Sequence, residues 1–297
     1  MKRNIVFFLA TSLILVTGGL CTGEVQVLER NDLTVLFEPP LGPASKEVAD
    51  IYPAIKGEIE ATFGWNLGVK PALLLISDGR SFSSMAESPL TVAFAVPSRG
   101  LIVINYSKMR SHPFNLEDTL RHEICHLMLH EHIKGPVLPR WLDEGVCQWA
   151  SGGAVDIIMD QKRSLLNRAV LRGRFIPLSS LQRGFPITKD PLLLAYEESK
   201  SFVEYIVGRY EKEGILKVLG HMKRGEEVET AVLRSLSIAL DRLEEEWHGS
   251  VKKKMTWFIY LSYHIYEILF TVLALLVIVA FIRVMVKKRA YRKGETE

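Results

Sequence analysis

The sequence His122-Glu123-Ile124-Cys125-His126 decides how this chain is interpreted. Residues four positions apart on an α-helix lie about 40° apart around its axis, so both histidine side chains can reach one metal ion. The glutamate beside the first histidine can take a proton from a zinc-activated water. The spacing therefore predicts a zinc site with a general base next to it.

A second motif, Trp141-Leu142-Asp143-Glu144-Gly145, follows after one short connection. The carboxylate of Glu144 can join the two histidines as a third ligand, which leaves one coordination position open, as in catalytic zinc sites. The alternatives are two solvated histidines on the first helix and an ordinary exposed glutamate on the second.

Both motifs are expected to lie on well-delimited helices. Asn115 can cap the first helix, with Asp118 three residues further on, and Gly135-Pro136 is expected to end it after about Lys134. Pro139 is expected to open the second helix, which Ser151-Gly152-Gly153 closes.

The sequence before the first motif predicts a small sheet with one helix. Extended segments are expected at residues 25–37, 72–76, 92–96 and 101–105, the last two forming a hairpin around Pro97-Ser98-Arg99-Gly100. A helix is predicted over residues 46–63, and the pattern from about 191 to 254 is mostly helical. The fold class is α+β, with a small N-terminal sheet and a helical C-terminal half.

The N-terminal end has the pattern of a secretory signal peptide, predicted at residues 1–23. Lys2 and Arg3 precede an apolar run from Ile5 to about Leu20, and small residues follow. Cys21 suggests a lipoprotein signal, but Leu20 is bulkier than that signal normally accepts. An uncleaved anchor is the other alternative.

The C-terminal end predicts one transmembrane helix at residues 258–284 and a basic cytoplasmic tail at residues 285–297. About 20 apolar residues span a bilayer as a helix, and residues 257–286 contain few polar side chains. Basic residues follow at 287–289 and favour a cytoplasmic location of the C-terminus. Lys252–Lys254, on the opposite flank of the span, weaken this assignment of orientation. The signal peptide places residues 24–254 outside the cell membrane. The alternative is a buried core helix.

Composition adds little about partners of the extracytoplasmic part. The net charge of +3 comes partly from the basic tail, and no stretch combines clustered basic residues with aromatic ones, so nucleic-acid binding is not expected. Cys125 and Cys147 remain after signal cleavage. They are interpreted as two buried thiols, with a disulfide between them as the alternative.

The two motifs together resemble the gluzincin metallopeptidases, particularly the bacterial peptidase MA-like domains, whose pattern is HExxH followed by a W-L-x-E-G helix. The resemblance covers about residues 73–210 and is specific over the motifs. It implies a zincin-like fold and one Zn²⁺ per chain, held by His122, His126 and Glu144, with Glu123 as the general base. The chain lacks the Gly-x-Met-Glu-Asn motif, so aminopeptidase activity is not implied.

The resemblance also implies roles for residues outside the motifs. Tyr196 resembles a tyrosine that donates a hydrogen bond to the oxyanion; otherwise it packs its helix. The strand Leu101-Ile102-Val103-Ile104-Asn105 resembles the edge strand that binds peptides by strand addition; otherwise it is a core strand.

Three polar residues near the motifs complete the expectations. Asp143 can orient a ligand histidine from outside the metal's own ligand set. His130 and His132 are expected to be solvated on the far face of the first helix.

The function predicted from the sequence is that of a membrane-anchored zinc metallopeptidase that hydrolyses peptide bonds, with a peptide or protein substrate and the lipid bilayer as partners. One alternative is a membrane-tethered scaffold that binds zinc without catalysis. The other is an adhesion or assembly module in which the motif is fortuitous. Glu123 argues for the enzyme, because a structural zinc site needs ligands and no base.

Overall fold

The computed structural model describes residues 25–111, 114–134, 138–152 and 164–294, with the backbone alone at 257–264 and 286–294. The predicted signal peptide lies outside these residues, as do Gly135-Pro136, Gly153 and the last three residues of the basic tail. The chain divides into two compact units, residues 1–247 and residues 248–297.

The first unit begins with a five-stranded mixed sheet in the order β1-β2-β3-β5-β4. Its strands are β1 (Gln26–Glu29), β2 (Thr34–Phe37), β3 (Ala72–Ile76), β4 (Ala93–Val96) and β5 (Leu101–Asn105). β2, β3 and β5 run parallel, and β1 and β4 are antiparallel to their neighbours. The predicted extended segments are all found, although residues 25–37 form a hairpin of two strands.

The prediction that Leu101–Asn105 forms an edge strand is wrong. β5 pairs with β3 on one side and with β4 on the other, and all five of its residues are buried. Its apolar sequence is therefore that of a core strand, since a strand covered on both faces needs no polar alternation. Among the described residues, β4 forms this edge of the sheet.

Two helices accompany the sheet. Helix α1 (Gly42–Phe63) starts four residues before the predicted position, because Pro43 suits a first helical turn, and it ends at Gly64 with a left-handed φ of 67°. The short helix α2 (Gly79–Met85) was not predicted. Asp78 caps it by accepting hydrogen bonds from the backbone N–H groups of Arg80 and Ser81.

The two motif helices begin where the sequence predicts, and the first ends two residues before the predicted Lys134. Helix α3 (Leu116–His132) is capped by Asn115, whose side chain accepts from the N–H groups of Glu117 and Asp118. Helix α4 (Arg140–Ala150) follows Pro139. The other α-helices in the described part of the chain are α5 (Leu165–Arg172), α6 (Lys189–Lys223), α7 (Val228–Leu236) and α8 (Leu240–Gly294).

The second unit is helical and contains an apolar segment. Residues Ile265–Met285 of α8 form a stretch of 21 residues that is long and apolar enough to cross a membrane, and none of it is buried within the protein. By its length and composition, this segment agrees with the location predicted for the transmembrane helix.

Helix α4 packs closely on α6 through the glycine of the second motif. A Cβ atom at Gly145 would lie 2.5 Å from the backbone oxygen of Ser199 and 2.7 Å from Cγ2 of Val203. Beside this contact, the ring of Trp141 meets that of Phe202 edge to face, with centroids 5.3 Å apart. Glycine at this position therefore sets the distance between the helix that carries Glu144 and its neighbour.

We expect Gly145→Ala to lower the free energy of unfolding by about 1–3 kcal/mol, because the added methyl group overpacks the α4–α6 contact. For a domain of this size the melting temperature falls by about 2–4 °C per kcal/mol. Thermal unfolding of the full-length protein in detergent measures the change. Gly57→Ala is the matched control, since its Cβ would meet nothing within 4 Å in α1. Equal melting temperatures for Gly145→Ala and the parent would contradict the packing argument.

Candidate metal centre

Three buried side chains from two helices converge on one point. The Nε2 atoms of His122 and His126 are 3.1 Å apart, and Oε2 of Glu144 lies 3.5 Å and 3.7 Å from them. A tetrahedral zinc ion with ligand atoms at about 2.0–2.2 Å separates them by about 3.3–3.6 Å. The spacing of the three atoms therefore fits one zinc ion.

The hydrogen bonds of these groups also fit a cation. Oε2 of Glu144 is buried and has no hydrogen-bond partner among the described residues. When both imidazoles are neutral and protonated on Nδ1, their Nε2 atoms and the carboxylate oxygen present electron pairs to one another, which is costly in a buried place unless a proton or a metal ion lies between them. The donor set, two imidazoles and a carboxylate, is one that zinc uses in catalytic sites.

Glu123 directly follows the ligand His122 in helix α3. Its side chain is buried, and Oε2 has no hydrogen-bond partner among the described residues. Burial raises the pKa of Glu123 above its usual range, against the opposing effect of the two histidines. A raised pKa brings a carboxylate closer to the range in which it can both accept and return a proton.

Asp143 ties the second ligand histidine to α4. Its Oδ1 atom lies 2.7 Å from Nδ1 of His126, and its Oδ2 atom lies 2.9 Å from Nε2 of His130. A proton on Nδ1 of His126 leaves its Nε2 free for the metal, so Asp143 has the orienting position that the sequence predicted. The prediction that His130 lies on the far face of α3 is wrong, because it contacts Asp143 beside the site, although its side chain is 38% exposed.

Electrostatics at the site favour a positive charge. Burial opposes protonation of His126, but the carboxylates of Asp143 and Glu144 outweigh it and raise its pKa to about 10. Asp143 is also buried, yet His126 and His130 hold its pKa well below its usual range.

His132 makes a different contact from that of His130. Its Nε2 atom is 2.9 Å from the backbone oxygen of Asn66, an exposed residue.

Arg140 is a site residue that the sequence analysis missed. Its Nη2 atom lies 2.7 Å from Oε1 of Glu144. Burial opposes ionisation of Glu144, but Arg140 and His126 outweigh it and lower the pKa of Glu144 to about 2. The sequence contains one signal for this contact: Arg140 lies four positions before Glu144, and residues at this spacing share one face of a helix.

Tyr196, on α6, is brought to the same place. Its ring meets that of Phe185 edge to face, with centroids 5.0 Å apart, and its phenol interacts with Arg140. The charge of Glu144 and burial raise the pKa of Tyr196 well above its ordinary value. The phenol therefore keeps its proton and can act as a hydrogen-bond donor at neutral pH.

Two cysteine thiols come from the same two helices as the proposed ligands. Cys125 and Cys147 are free and fully buried, which agrees with the interpretation as two buried thiols. A second group of ligand atoms, from His126, Asp143 and Cys147, also lies close together. This second group is the poorer metal site for two reasons. Both carboxylate oxygens of Asp143 already contact histidine nitrogens, and burial raises the pKa of the Cys147 thiol.

A mixed sheet followed by two helices that present two histidines and a glutamate to one point defines a zincin-like α+β domain. The family model of the Peptidase MA superfamily matches residues 93–253, just over half of the chain, and the chain belongs to this superfamily. The resemblance inferred from the two motifs is thereby confirmed, and it supports a metallopeptidase. A search of the curated proteins gives no match.

Solved structures that match this chain include aminopeptidase A from Legionella pneumophila in complex with aspartic acid, at 12% identity and a TM-score of 0.45 over 76% of this chain. A mutant M1 zinc metallopeptidase from Deinococcus radiodurans, bound to a Tyr-Ser-Ala substrate, matches at 12% identity and a TM-score of 0.39 over 77%. The matches span 27% and 50% of the length of those two chains, respectively.

Proposed function

We propose that this protein is a zinc metallopeptidase that hydrolyses peptide bonds and is anchored in the cell membrane by its C-terminal helix. The observation that carries the proposal is the convergence of Nε2 of His122, Nε2 of His126 and Oε2 of Glu144. Zinc, when bound there, supplies a Lewis acid that polarises a carbonyl and lowers the pKa of water.

The residues around the ligands have complementary tasks in this proposal. Glu123, buried with an unpartnered oxygen, accepts the proton of the attacking water and returns it to the leaving amine. Tyr196 keeps its proton and donates a hydrogen bond to the oxygen of the scissile carbonyl as that oxygen becomes negative. Asp143 keeps His126 in the tautomer whose Nε2 binds the metal.

The substrate's backbone would pair with β4 rather than with β5. β4 is the edge strand beside β5 among the described residues, and it packs near α3, which carries both ligand histidines. An extended peptide can add to such an edge through main-chain hydrogen bonds, with side chains in alternate positions providing specificity. β5 has no free side for this pairing.

We propose the following organisation of the chain. Residues 1–23 are a signal peptide, residues 24–254 the extracytoplasmic peptidase domain, residues 258–284 the membrane span and residues 285–297 a cytoplasmic tail. Supporting this order are the apolar segment Ile265–Met285 and the basic residues that follow it. Substrates are then peptides or proteins on the extracytoplasmic side.

The experiment that tests the function uses the full-length protein, purified in detergent. We expect about one zinc ion per chain, and cleavage of members of a peptide library that a zinc chelator abolishes and added zinc restores. Metal analysis and mass spectrometry of the library give both results. Absence of zinc after reconstitution with excess metal would contradict the proposal.

A further inference from the structure

We propose that Arg140 is a positioning residue which restricts Glu144 to binding the metal through one oxygen, and so keeps the fourth coordination position open. This inference rests on the proposed zinc site and deepens it. It concerns a side chain that is outside both motif patterns of the family and that the proposed mechanism does not use.

The two oxygens of Glu144 have different surroundings. Oε1 lies 2.7 Å from Nη2 of Arg140, whereas Oε2 has no hydrogen-bond partner among the described residues and faces the two histidine nitrogens. A charge-assisted hydrogen bond of this length engages Oε1 strongly. The guanidinium of Arg140 thus binds Oε1, and Oε2 remains available to bind the metal.

Removing that partner would free Oε1. A carboxylate with two free oxygens can bind a metal through both of them, which would occupy the position that a water or substrate oxygen needs. The side chain of Glu144 is buried, so it has few other partners to take up Oε1.

Arg140 is itself held in place. Its backbone N–H donates to the backbone oxygen of Gln182 at 2.9 Å, and its guanidinium lies 6.0 Å from the ring centroid of Phe185. The ring of Phe185 packs on Tyr196, so the loop that contains Gln182 and Phe185 supports both side chains. A rigid guanidinium gives a defined orientation to the carboxylate that it binds.

The location of Arg140 has no advantage for the helix itself. It is the first residue of α4, where the positive end of the helix dipole disfavours a cation. An arginine four residues before a glutamate is also the less favourable order for a pair of opposite charges on a helix. The ion pair with Glu144 is thus better explained by the metal site than by helix stability.

The test compares Arg140→Met with the parent, both as full-length protein in detergent. Methionine keeps an unbranched apolar stem beside Phe185 and removes the charge. We expect the dissociation constant for zinc, measured by competition with a chromophoric chelator, to rise about 10–100-fold, as for the loss of other groups that orient metal ligands. The visible absorption spectrum of the Co²⁺-loaded protein is expected to change in position and intensity, because the second oxygen of Glu144 would replace water at the fourth coordination position.

Three further variants make the result specific. Arg168→Met removes an arginine that pairs with Asp190 at 2.9 Å on the surface, and it is expected to leave the affinity and the spectrum unchanged. Arg140→Lys restores a positive charge and is expected to recover part of both. Arg140→Gln, which is neutral and polar, replaces the methionine variant if that protein does not fold.

The outcomes separate this inference from the proposed function. A parent that binds neither zinc nor Co²⁺ overturns both. A parent that binds zinc, together with neutral variants of Arg140 whose affinity stays within twofold and whose Co²⁺ spectrum is unchanged, overturns the role of Arg140 and leaves the metallopeptidase proposal intact.

Discussion

Replacing Glu123 with glutamine is expected to lower kcat about 10²–10⁴-fold while about one zinc ion per chain remains bound, because the amide cannot accept the proton of the attacking water. The substitution preserves the size of the side chain, and Glu123 is outside the set of three converging ligand atoms. Turnover of a peptide identified from the library gives kcat, and elemental analysis of the same sample gives the zinc content.

Glu117→Gln is the control for this substitution. Glu117 is an exposed glutamate in the first turn of the same helix, α3, and its replacement is expected to leave turnover unchanged. A Glu123→Gln protein with the parent's kcat would contradict the role of general base. A parent that holds zinc and cleaves no peptide would instead favour the alternative of a membrane-tethered zinc-binding scaffold.

Replacing Glu144 with alanine is expected to weaken zinc binding by more than about 100-fold, beyond the effect of removing a group that only orients a ligand. The change removes the third ligand atom and leaves the charge of Arg140 without its partner at 2.7 Å. Competition with a chromophoric chelator gives the dissociation constant of the full-length protein.

Two variants control for indirect effects of that change. Glu144→Gln keeps the volume of the side chain and an oxygen for Arg140, so a similar loss of zinc in this protein would show that the ionised carboxylate matters. Glu213→Ala removes an exposed glutamate of α6 and is expected to bind zinc as the parent does. Zinc affinity within tenfold of the parent in both Glu144 variants would exclude Glu144 as a ligand.

Local sequence patterns predicted the elements that carry the metal site. Asn115 and Pro139 mark the starts of α3 and α4 because their side chains or fixed backbone angles act within one turn of the chain. Gly64 marks the end of α1 for the same local reason. The pairing of His122 with His126 follows from helical periodicity alone.

Relations between distant segments were predicted less well. The sequence of Leu101–Asn105 has the same apolar character whether the strand is at an edge or inside the sheet, and only its pairing with β3 and β4 decides this. His130 was assigned to solvent because its partner, Asp143, comes from another helix. Arg140 has no motif of its own, and its importance depends on the distance to one oxygen of Glu144.

The sequence by itself determined the class of fold, the two helices, the three candidate ligands with their base, and the apolar segment near the C-terminus, because each follows from periodicity, composition or a short motif. Only the tertiary structure decided which strand forms the edge beside β5, which oxygen of Glu144 faces the histidines, and that Arg140 and His130 contact the carboxylates of the site. The physical reason is that these features depend on the packing of α4 between α3 and α6, which brings together side chains that are far apart in the chain.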